Sequence, residues 1–119
     1  AKNEDNPLII DFYYQYYLYL QEQNKPTQAL VILNKLYDKQ EEMSAFIYSP
    51  FVELELEKEA KLNDDYETAL KYLQLALQHT RKITNNQLAN IYYNMAKAYE
   101  ILNKKARYKQ SIQKCKNVK

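Results

Sequence analysis

Residues 64–77 read DDYETALKYLQLAL, and residues 24–36 read NKPTQALVILNKL. Laid over one another at an offset of 40, Thr27-Gln28-Ala29-Leu30 falls on Glu67-Thr68-Ala69-Leu70. In both, polar turn residues give way to a helix. Tyr66, Ala69, Leu70, Leu73, Ala76 and Leu77 keep the three-four rhythm of a buried helical face. A third stretch, YKQSI at 108–112, matches YETAL at 66–70 with an offset of 42. Self-similarity at such spacings marks a chain built of repeated units. The small residue in each match, Ala29, Ala69 or Ser111, is expected where that helix presses closely on its partner.

A helix precedes each match. Asn6-Pro7 reads as an N-cap with proline in the first turn, opening a helix to about Gln23. Ser49-Pro50 repeats the signal for a helix to about Leu62. Thr84 to Asn86 caps a third, in which Tyr92, Met95, Ala96, Tyr99 and Leu102 share one face. The expectation is a single all-α domain over 1–119, with three antiparallel helix pairs at about 7–42, 49–82 and 85–117.

Composition supports this class. The 119 residues include no glycine and three prolines, which argues against hairpin-rich β folds and against phosphate-cradling loops. The net charge of +2 predicts no nucleic-acid preference by itself. From Lys97 onward, however, eight basic residues meet a single acid, Glu100. Cys115 is the only cysteine, which excludes an internal disulfide and fits a reducing, cytoplasmic setting. No apolar run reaches the roughly 20 residues that span a bilayer, and the opening AKNEDNPL is no signal peptide. An opening Ala1 in place of methionine leads us to expect a piece of a longer protein.

The aligned residues resemble the tetratricopeptide repeat family, whose signature runs W-x2-L-G-x2-Y, then A-x3-F, then P. YYNMAKAY at 92–99 sets Tyr92, Met95, Ala96 and Tyr99 on its first half. Ala69, Leu73 and Ala76 fall on the second half. In the first pair, Tyr13, Tyr16, Tyr17 and Leu20 take the first-half slots, and Ala29 and Leu33 follow. The resemblance covers nearly the whole chain and implies a right-handed α-α superhelix. It departs from the family in its longer repeats and in lacking the terminal proline. Glu53 and Glu57 stand where Trp and Gly belong, which implies a middle helix rotated or exposed there.

By the same resemblance, the first helices of successive pairs line a concave groove that holds a peptide. The positions so implied are Asp11, Tyr14, Gln15 and Leu18, then Phe51, Leu54, Glu55 and Lys58, then Asn90, Tyr93, Asn94 and Lys97. Aromatic rings beside amides suit a peptide, because rings give contact area at low entropy cost and Asn both donates and accepts. The candidate peptide-binding residues are therefore Asp11, Tyr14, Gln15, Leu18, Asn90, Tyr93, Asn94 and Lys97, with Asn94 foremost. On the stripe Tyr13, Tyr16, Tyr17, Leu20 the rings are read as core facing the partner helix.

Long repeats rich in Tyr and Asn also resemble the sensor domains of Gram-positive peptide-pheromone regulators. Two other classes stay open. One is a structural scaffold stacking on further repeats or on a copy of itself, since terminal repeats need caps. The other is nucleic-acid binding through the basic stretch 97–119, against which stands the ordinary polarity of a terminal helix. An enzyme is not expected. His79 is the only histidine, so a zinc site lacks ligands, and Cys115 falls at a packing position. Glu53, Glu55, Glu57 and Glu59 point in several directions along one helix and form no acid/base pair. No cofactor is implied.

Overall fold

The structure, a computed structural model, describes residues 6–119. Residues 1–5, which open the segment read above as no signal peptide, lie outside it. Among the described residues there are six helices and no strand: α1 Leu8–Glu22, α2 Pro26–Met43, α3 Phe51–Leu62, α4 Tyr66–His79, α5 Asn85–Ile101 and α6 Lys105–Lys116. The all-α reading and its six boundaries hold to within a few residues. The chain divides into two compact units, Ala1–Val52 and Glu53–Lys119.

Four helices end the same way, although the chain has no glycine. After α1, Asn24 takes φ 55°, its N–H bonds Gln21 O, and the Lys25 N–H reaches back to Leu20 O at 3.0 Å. Asp64 with Asp65, and Asn103 with Lys104, make the same two bonds, to Lys61 and Ala60 and to Glu100 and Tyr99. Ser44 and Ala45 do so behind α2. These are Schellman turns, which satisfy orphaned carbonyls through one left-handed residue. Asn and Asp tolerate that conformation better than other residues with a Cβ. Lys25, Asp65 and Lys104 then serve at once as the N-caps of α2, α4 and α6.

The three intra-pair turns fix the repeat register. Asn24, Asp64 and Asn103 stand 40 and then 39 residues apart, not 40 and 42. Ala29 and Ala69 each donate to the residue four before them, at the cap, and the equivalent residue in α6 is Tyr108, bonded to Lys104 O. Ser111 is buried like Ala29 and Ala69, but it lies nearly one turn further along. The half-buried ring of Tyr108 packs on the α4–α5 core and leaves the small-residue slot to the next turn.

Asp64 offers a test of this turn. A carboxylate beside the negative end of α3 is opposed by the helix dipole, and any Cβ resists the left-handed conformation. Asp64→Gly is expected to raise stability by about 0.5–1 kcal/mol, and Asp64→Val to lower it by about 1–2 kcal/mol. Urea midpoints measure both.

In the first unit, α1 contributes Ile10, Tyr17 and Leu20 to the core, and α2 contributes Ala29, Ile32, Leu33, Leu36 and Tyr37. This corrects the expected tyrosine stripe: Tyr16 faces outward and Tyr13 is half-buried. The buried positions are 10, 17 and 20, and the Tyr17 hydroxyl accepts from Gln21 Nε2 at 2.7 Å. Gln40 is fully buried yet satisfied. Its Oε1 accepts the Tyr48 N–H at 2.7 Å and its Nε2 donates to Ser49 Oγ at 3.4 Å, pinning the connection after α2. The helix expected from Ser49 begins at Phe51.

In the second unit, Leu70, Leu73 and Ala76 of α4 pack with Ile91, Met95, Ala98 and Tyr99 of α5. Asp65 caps α4 by accepting the Thr68 N–H, and the Thr68 side chain, then its backbone N–H, hold the Asp65 carboxyl below the usual value. Thr84 and Gln87 form a reciprocal capping box on α5. Helix α6 buries only Ser111 and presents Lys, Arg and Gln to water. Cys115 is half-buried, its Sγ 3.4 Å from Ala89 O.

Candidate peptide-binding face

The turn register places positions 14, 54 and 93, and likewise 15, 55 and 94, at equivalent points of α1, α3 and α5. The two units carry these positions separately, and each has its own chemistry.

In the second unit, α3 and α5 are joined through Asn94. Lys61 Nζ donates to Asn94 Oδ1 at 3.0 Å, and Asn94 Nδ2 donates to Asn90 O at 2.8 Å and to Asn90 Oδ1 at 3.0 Å. An ammonium only donates, so it fixes the oxygen of Asn94 toward α3 and turns its amide along α5. Asn94 thus spends both donors inside the protein. The Asn90 amide nitrogen, by contrast, makes no hydrogen bond among the described residues. Tyr93 is half exposed, with Lys97 Nζ 5.4 Å from its ring centroid. Glu55 and Lys58 pair at 3.2 Å on α3. Asn90, Tyr93 and Lys97 therefore form an exposed strip on α5, and Asn94 is the bracket behind it.

The second unit also buries two carboxylates of α3. Glu53 and Glu57 are buried, so the middle helix is not exposed where the family residues are missing. Glu53 Oε2 sits 2.7 Å from His79 Nδ1 at the end of α4. Lys61 Nζ lies 3.1 Å from Glu57 Oε2, off the hydrogen-bonding direction, with its bond going to Asn94. Buried acids persist where a cation or donor meets them. From the sequence alone, these glutamates and His79 show no relation to one another. The only signal available was a pair of acids on the slots that hold Tyr13 and Tyr17 one repeat earlier.

In the first unit, Asp11 and Tyr14 are engaged internally. Tyr48 donates its phenol to Asp11, and the Tyr14 and Tyr48 rings stack 4.0 Å apart at 8°. Phe51 meets Tyr14 edge-on at 5.7 Å and Tyr17 at 6.0 Å. Gln15 and Leu18 remain exposed.

The Asp11 bond, then burial and the Asp11 charge, push the Tyr48 phenol up to about 12 from 10.0. The folded state thus holds this proton more tightly than the unfolded chain does. Its stabilisation is complete below pH 10 and is lost as pH rises from 10 to about 12. Tyr48→Phe is expected to flatten that part of the urea-midpoint profile relative to the parent.

No helix among the described residues is long and apolar enough to cross a membrane. Comparison with known proteins adds no relative: no protein-family model, no curated protein and no solved structure matches this chain.

Proposed function

We propose that this chain is a non-catalytic, tetratricopeptide-like repeat module that binds a peptide segment on the exposed strip of α5. The observation that carries the reading is the pairing of a half-exposed Tyr93 with the uncommitted Asn90 amide, one turn apart on a rigid helix. A peptide apolar group covers the ring, and its backbone carbonyl takes the amide proton. Lys97, already over the ring, adds a cation at the rim. Asn94 acts by holding Asn90 and Lys61 rather than by touching the guest. In the first unit, taken by itself, Gln15 and Leu18 stay exposed on α1, and Asp11 and Tyr14 are engaged with Tyr48.

Peptides selected from a random display library on the immobilised chain provide the probe, with affinity read by fluorescence anisotropy. Tyr93→Ala and Asn90→Ala are each expected to weaken binding about tenfold or more, the size of a central contact. Affinities within twofold of the parent for both variants would overturn the assignment.

A further inference from the structure

In the second unit, a cleft of about 470 Å³ opens where α4, the end of α5 and the start of α6 meet. That volume falls in the range of small-molecule sites, roughly 300–1,000 Å³. Leu70 and Ala106 give the cleft an apolar part. The rest of its lining, Gln74, Tyr99, Lys104, Lys105 and Arg107, brings an amide, a phenol, two ammonium groups and a guanidinium, and no acid.

Three observations give that lining one chemistry. First, Lys104, Lys105 and Arg107 hold the N-cap, first and third positions of α6, where the helix dipole opposes a cation. The ion pairs among the described residues lie elsewhere, so none of the three is neutralised. Second, the leading N–H groups of α6 have no intrahelical acceptor, and Lys104 supplies no side-chain cap. Third, Tyr99 is only 4% exposed, and its hydroxyl accepts from Gln74 Nε2 at 3.2 Å while its own proton meets no acceptor among the described residues. Buried polar groups normally find their partners. This buried donor is independent of the helix end and of the lysines, and it asks for the same guest: an oxyanion.

We infer that the cleft binds a phosphate monoester carried on a small apolar body. The phosphate oxygens take the α6 N–H groups, the Tyr99 hydroxyl and the Arg107 fork, and the body lies against Leu70 and Ala106. A bare phosphate leaves most of the cleft to water, and a phosphodiester brings less charge to three cations. The chain has no glycine for a phosphate-cradling loop; side chains and a helix end serve in its place. No residue of the α5 strip lines the cleft, so the inference does not depend on the peptide reading.

Phenyl phosphate is the probe, titrated into the isotope-labelled chain at about pH 7.5, where a monoester is close to a dianion. Amide NMR is expected to show saturation near or below about 1 mM. The shifts should centre on Lys105, Ala106 and Arg107. Arg107→Gln and Tyr99→Phe should each weaken binding about fivefold or more. Lys116→Gln, at the far end of α6 and outside the cleft, should keep the parental affinity. Arg107 is exposed, so its variant keeps the parental helicity by circular dichroism. The inference is overturned by no saturable shift up to about 10 mM, or by either lining variant binding like the parent. It is equally overturned if Lys116→Gln weakens binding as much as Arg107→Gln, or if inorganic phosphate or an oligothymidine strand binds as tightly as phenyl phosphate.

Discussion

Replacing His79 with alanine is expected to cost about 1–3 kcal/mol of stability, the usual loss when a buried hydrogen-bonding group is left without one of its partners. Glu53 is fully buried, and its Oε2 lies 2.7 Å from His79 Nδ1. Glu53 is fully buried while His79 is only partly so, and water entering the vacated position makes up the lost contact in part. Against a total of about 5–15 kcal/mol for an ordinary domain, such a loss is a sizeable fraction of the stability. The double variant Glu53→Leu, His79→Leu is expected to recover most of it, since replacing both members of a buried hydrogen-bonded pair by apolar groups can be nearly neutral. Urea unfolding of the parent, both single variants and the double variant closes the cycle. A loss below about 1 kcal/mol for His79→Ala would show that the contact carries little energy.

Leu73→Ala is the second large effect, expected at about 2–5 kcal/mol. Leu73 is fully buried in the α4–α5 core, so truncation both forfeits transfer energy and opens a cavity its neighbours fill only in part. Leu62→Ala is the control. Leu62 is the last residue of α3 and stands largely in water, so the same chemical change should fall within about 0.5 kcal/mol of neutral. Equal losses at the two positions would contradict the packing described here.

These two predictions differ in how far they could be read from the residues alone. Leu73 belongs to the three-four rhythm of 66–77, and its burial follows from that periodicity. Glu53 and His79 are 26 positions apart on different helices, and neither has a local reason to be buried. Their meeting needs α3 and α4 in place. The same holds for Tyr48 and Asp11, 37 positions apart, and for Gln40 holding the connection behind α2. At the candidate site, the amide-and-aromatic character of 90, 93, 94 and 97 was legible. The division of labour was not: Asn94 spends its donors on Asn90 only because Lys61 claims its oxygen from another helix.

The sequence by itself determined the class, the six helices and most of their ends. Those features rest on contacts within four or five residues: capping oxygens, left-handed Asn and Asp turns, and apolar spacing around a 3.6-residue turn. Tertiary structure decided which of two similar registers the last pair adopts, which tyrosines face water, and how two glutamates survive in an interior. Each of those is a competition for space or for a hydrogen-bond partner between segments distant in the chain. Its outcome depends on geometry that no short stretch of residues contains.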